Sequence, residues 1–160
     1  MNDYSVRILV LLAALGSGLI AGVFFAFSSF VMGALGRLPP PQGIAAMQSI
    51  NIVVINPIFM GVFLGTAAIA VALAIWAGTH WGEPRAMGVM IGAVCYVVGS
   101  LLVTLAFNVP LNNALALADP ASADVAALWA RYLGTWTFWN TVRGLASLAA
   151  AAMFILAYGR

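Results

Sequence analysis

The stretch ILVLLAALGSGLIAGVFFAF, Ile8 to Phe27, decides the fold. Its uncharged run matches the roughly 20 residues that an α-helix needs to cross the hydrocarbon core of a bilayer. A secretory leader carries a much shorter apolar run, about 7–15 residues, so the segment reads as a retained anchor. Three more apolar stretches follow at 52–77, 86–107 and 136–158, the last reaching spanning length only if its helix begins near Trp136. With the first extended to 7–36, they predict four spans in one integral membrane domain over 1–160.

Composition agrees. The 160 residues are 64% hydrophobic and 6% charged, with a mean hydropathy of +1.09. Soluble domains carry about 25% charged residues, so six arginines and four carboxylates cannot cover a water-facing surface here. The fold class is therefore all-α, a four-helix transmembrane bundle whose partner is the lipid bilayer. A net charge of +2 argues no affinity for nucleic acid. Cys95 and His80 are each alone, which leaves no disulfide, no CxxC relay and no thiolate or His-rich metal cage. No metal and no tightly held cofactor is expected, and a quinone-reductase or disulfide-relay reading fails.

The loops differ in kind. Loop one, LPPPQGIAAMQSIN, opens on three prolines and reads as a short amphipathic helix on the membrane surface. Loop two, GTHWGEPRAM, reads as a plain turn. Loop three has a helix start at Ser122 or Asp124 after Pro120. From there Val125, Trp129, Tyr132, Trp136, Trp139 or Asn140, and Arg143 recur at helical spacing, a stripe that extends the fourth helix outward unless Gly134 breaks it. With both termini on one side, Arg7, Arg85 and Arg160 face Arg37, Arg131 and Arg143. If Arg143 turns inward, the balance leans to cytoplasmic termini in a bacterial inner membrane.

Gly18–Gly22, Gly61–Gly65 and Gly88–Gly92 are GxxxG pairs. Small residues at that spacing let helix backbones approach, within the bundle or in a homo-oligomer through one such face.

Polar groups in or beside spans need a partner or a wet cavity, and they gather at one end. Asn51 and Asn56 enter the second span, Asn108 and Asn112 leave the third, and Trp136, Trp139, Asn140 and Arg143 enter the fourth. Ser28, Ser29 and Thr104 lie toward the same end. Two readings stand for each. Arg143 either snorkels to mark a helix end or points inward to bind an anionic or enolate oxygen. The asparagines either cap helices and close loops or line a polar pocket. The tryptophans form an aromatic belt or a lid over a planar ligand.

The segments MQSIN (Met47–Asn51), NPIF (Asn56–Phe59), FNVPLNNAL (Phe107–Leu115) and W..Y...W..WN..R (Trp129 to Arg143) follow in that order, and together the chain resembles the DUF1772 family of anthrone oxygenase-like membrane proteins. The resemblance implies a small four-helix membrane protein. It implies also, from members that oxidise anthrones to anthraquinones with O2 and no evident metal or flavin, a planar apolar aromatic or quinone-like substrate. Carried onto this chain, Arg143, Asn140 and Asn108 are the expected catalytic groups. Asn51, Asn56, Asn112, Tyr132, Trp136 and Trp139 are the expected substrate contacts. No carboxylate or histidine sits in this cluster to act as general base. The competing reading is an accessory subunit without chemistry. A proton-coupled transporter ranks last, because Asp3, Glu83, Asp119 and Asp124 all lie outside the expected spans.

Overall fold

The computed structural model describes residues 3–119, 122 and 124–159. They fold into α1 (Asp3–Leu35), α2 (Pro40–Val53), α3 (Pro57–Thr79), α4 (Ala86–Ala116) and α5 (Val125–Tyr158), with no strand among the described residues. Helices α1, α3, α4 and α5 are long and apolar enough to cross a bilayer, and the protein is an integral membrane protein. Their outer faces expose Leu15, Leu19, Ile75, Val98, Leu148 and Ile155, which lipid solvates and water would not.

The four spans form a ring in which α5 lies along α1 and α4, and α3 closes the circuit between α1 and α4. One apolar cluster fills the ring, around Val10, Ile20, Leu73, Val89, Tyr96 and Phe154. A second lies at the loop-one end, where Ile44 and Met47 of α2 meet Met32, Leu115, Trp129 and Tyr132. Close helix approach uses fewer glycines than the motifs suggest. Gly88 faces Ala157 and Gly92 faces the ring of Phe154, so that pair joins α4 to α5. At Gly18, Gly22, Gly61 and Gly65 an added methyl group would meet nothing within 4 Å, so none of the four sits in a tight helix contact. The tight contact of α1 is instead at Gly16, which sits directly against Thr66 of α3.

Helix ends depart from the apolar boundaries. The second apolar stretch begins at Ile52, but Ile52 and Val53 end the surface helix and α3 starts at Pro57. Pro57 has no N–H to leave unpaired and its φ suits a first helical turn. α4 does not turn at FNVPLN; it runs through Pro110 to Ala116. The i→i−4 bond that Pro110 cannot donate falls where the helix has already widened into π geometry at Thr104–Asn108, after a first π segment at Cys95–Leu102. α5 begins at Val125 with Asp124 at the cap position, and Gly134 does not break it. Pro120 and Arg160, which entered the helix-start and charge arguments, lie outside the described residues. At the far end Asp3 ties α1 to loop two through Arg85, at 3.0 Å.

Candidate functional site

From Trp129 onward the stripe on α5 is buried, at Trp129, Tyr132, Trp136, Asn140 and Arg143, and Ser147 continues it, whereas Val125 at its start is half-buried. Steps of three and four keep one face of a 3.6-residue helix turned inward, and it is Asn140 rather than Trp139 that lies on the buried face. Trp139 stacks instead on Phe107 of α4, ring centroids 3.6 Å apart and nearly parallel. Trp76, Trp129 and Trp136 also point into the protein, so the aromatic belt expected at the membrane surface is not their arrangement. Trp81 in loop two is exposed.

Arg143 is only 7% exposed, and its contacts are unusual for a buried cation. Asn140 Oδ1 accepts from Nε at 3.2 Å and from Nη2 at 2.8 Å. Thr104 Oγ1 accepts from Nη1 at 3.1 Å. The guanidinium lies over the Phe24 ring, 3.9 Å from its centroid, and 5.2 Å from that of Trp136, where the ring quadrupoles attract it. The chain's four carboxylates are Asp3, Glu83, Asp119 and Asp124, and no ion pair to Arg143 is found among the described residues. A buried charge without an opposite charge is costly. Three of its five N–H groups are used in these bonds, and Arg143 faces a cavity.

The neighbours of Arg143 are held in turn. Asn140 Nδ2 donates to Phe24 O and to Ser28 Oγ, both at 2.7 Å, at the edge of the π turn Phe27–Val31 in α1. Thr104 Oγ1 donates to Ser100 O, while Ser147 Oγ donates to Arg143 O and lies 2.9 Å from Ser100 Oγ. Arg143 is thereby fixed from α1, α4 and α5 together.

The cavity encloses about 210 Å³. Phe24 and Phe27 of α1, Met47 and Ile50 of α2, and Phe59 and Phe63 of α3 make much of its apolar wall, and Trp136 lies across it. Its polar groups are Arg143, Thr104, Asn112 and Asn51, a few polar groups in an apolar hollow, as ligand sites generally are. The rim residues Ile55, Leu64 and Leu105 are exposed on the outer surface, so the mouth opens beside α3 and α4 where acyl chains would lie. A second hollow of about 290 Å³ sits between α1 and α5 over Gly18, Gly22 and Gly144. Its hydroxyls, Ser28 and Thr141, bond to each other at 2.9 Å, so it offers little unmet chemistry.

The expected site residues thus divide. Arg143, Asn51, Asn112 and Trp136 face the cavity. Asn140 stands behind Arg143. Tyr132 donates its hydroxyl to Asn112 Oδ1 at 2.9 Å and stacks between Trp129 and Trp136. Asn108 is fully buried, donating to Trp136 O at 3.2 Å, and its Oδ1 has no partner. Asn56 caps α3, accepting from Ile58 and Phe59 N–H groups and donating to Val53 O, a local task away from the cavity. Sequence reasoning passed over Phe24, which supplies both a ring beneath the guanidinium and a carbonyl to Asn140. Nothing in an apolar run of α1 marks it.

A family model described as anthrone oxygenase matches residues 58–153, which include Thr104, Asn108, Asn112, Trp136, Asn140 and Arg143. No curated protein and no solved structure matches the chain.

Proposed function

The chain belongs to the anthrone oxygenase family, and from that premise we propose that its cavity binds a flat, largely apolar aromatic or quinone-like molecule and oxidises it with O2. One observation carries the reading: Arg143 is buried, has no carboxylate partner among the described residues, and faces the cavity with N–H groups to spare. An oxygen anion is the ligand such a group selects.

An anthrone carries an acidic ring CH2 opposite its carbonyl. Removing one proton places negative charge on that oxygen, where Arg143 can hold it in a site kept dry by phenylalanine and tryptophan. The carbanion carbon is then electron-rich enough to react with O2. The balance is one anthrone and one O2 giving one anthraquinone and one water. No carboxylate or histidine lines the cavity among the described residues, so ionisation is driven by stabilising the anion rather than by a strong base. Asn140, fully engaged, is a positioning residue; the apolar rim supports delivery from the bilayer. With Arg143 turned inward, Arg7, Arg85 and Arg160 oppose Arg37 and Arg131, which favours cytoplasmic termini in a plasma membrane.

The test is oxygen uptake by the purified protein with anthrone in detergent. Arg143→Ala should lower the rate at least about 100-fold, as removal of an oxyanion donor does. Arg143→Lys, which cannot span the same fork, should recover only part of it. Turnover unchanged in Arg143→Ala would refute the role. The accessory-subunit reading draws on the way Arg143 and Asn140 tie three helices together. It expects Arg143→Ala to lower thermal stability with no ligand or turnover to lose.

A further inference from the structure

We propose that Asn112 is a second donor pole of the cavity, reading a ligand oxygen on the side remote from Arg143. This rests on the ligand-binding reading above and adds to it the shape of what is bound.

Amide nitrogen and oxygen are ordinarily hard to tell apart, but this amide has only one consistent orientation. Trp136 Nε1 lies 2.7 Å from Asn112 Oδ1, and an indole N–H can only donate. The Tyr132 hydroxyl donates to the same oxygen at 2.9 Å. Turning the amide over would set N–H against N–H. Both lone pairs of Oδ1 are therefore occupied, and Nδ2, which meets no acceptor among the described residues, is what Asn112 offers the cavity it lines. Arg143 likewise offers donors only. A hollow whose two best-placed polar groups both donate fits a ligand with acceptors at both ends.

The spacing sets the ligand's geometry. Thr104, which holds Arg143, and Asn112 are eight positions apart on α4, at most about 12 Å along the axis at the α-helical rise of ~1.5 Å per residue, and less because Thr104–Asn108 is wound in the wider π geometry. Trp136, bonded to Asn112, lies between the poles on α5. A ring carrying oxygens on opposite edges, with a hydrogen bond of about 2.9 Å to each, reaches a comparable length. The site thus prefers a flat ring system with two opposed oxygens over one with a single oxygen.

The experiment measures anaerobic binding of three probes to the detergent-purified full chain by tryptophan quenching: 9,10-anthraquinone, anthrone and anthracene. The wild type should bind anthraquinone about tenfold more tightly than anthrone, the yield of one added hydrogen bond, and anthracene least. Asn112→Asp keeps an acceptor for Trp136 and Tyr132 but loses the amide donors; Asn112→Leu loses both functions. In each variant the anthraquinone preference should vanish, while Arg143→Gln should weaken both oxygenated probes equally. Either Asn112 variant that elutes as a folded species is sufficient. A preference that survives in it overturns the proposal, as does equal binding of anthraquinone and anthrone by the wild type. If the wild type binds neither better than anthracene, the ligand site itself falls. If Arg143 governs binding and Asn112 does not, only the second pole falls.

Discussion

Asn140 separates charge from scaffold at the heart of the site. Its oxygen takes two guanidinium N–H groups, yet being neutral it leaves the positive charge of Arg143 uncancelled. Asn140→Asp would place a carboxylate where that oxygen is and cancel the charge. We expect oxygen uptake with anthrone to drop more than tenfold, and the thermal midpoint to fall as well, because the carboxylate cannot donate to Phe24 O as Nδ2 does, although the new ion pair with Arg143 offsets part of that loss. Uptake that persists would mean the charge on Arg143 is not used. Asn140→Leu instead strands the guanidinium and the Phe24 carbonyl, and should cost about 3–5 kcal/mol in a denaturation series. Arg143 and Asn140 were legible in the sequence because an arginine and an asparagine in an apolar run have so few explanations. Phe24 was not, because one phenylalanine among several in a span carries no mark of what it touches.

Among the helices, periodicity spoke clearly where a stripe was polar and poorly where a span was uniformly apolar. The α5 stripe could be read residue by residue from Trp129 to Arg143. The ends of α3 and α4 could not: a proline reads equally well as a turn, a first helical position or a tolerated interruption, and Pro57 and Pro110 take the second and third roles. Glycine shows the same ambiguity. Gly16→Ala would drive a methyl group into Thr66, and should cost about 1–3 kcal/mol of stability as overpacking does. Gly18→Ala and Gly22→Ala, two and six positions on, meet open space and should stay within about 0.5 kcal/mol in the same thermal melt. Equal effects at all three would show that α1 packs through a different face.

At the scale of the whole molecule, class and membrane residence follow from composition alone, whereas the cavity depends on how five helices meet. If the cavity binds as proposed, a mouth beside the exposed Leu64 and Leu105 takes its ligand from the bilayer. Leu105→Trp, at a half-exposed position with room for the larger ring, should reduce kcat/KM for anthrone about tenfold and leave the thermal midpoint unchanged. An unaltered kcat/KM would place the route elsewhere. The cavity wall also has two origins. Arg143, Thr104, Asn112 and Trp136 lie within the 58–153 segment that the family model matches, while Phe24, Phe27, Met47, Ile50 and Asn51 come from the preceding residues. Apart from Asn51, the polar groups of the candidate site thus lie in the matched segment, while its apolar wall is shared, with Phe59 and Phe63 inside that segment and the α1 and α2 residues before it. In a site of the proposed kind, changes at Met47 and Ile50 of α2 would recut the mould and exchange one guest for another while Arg143 keeps its supports on α1, α4 and α5.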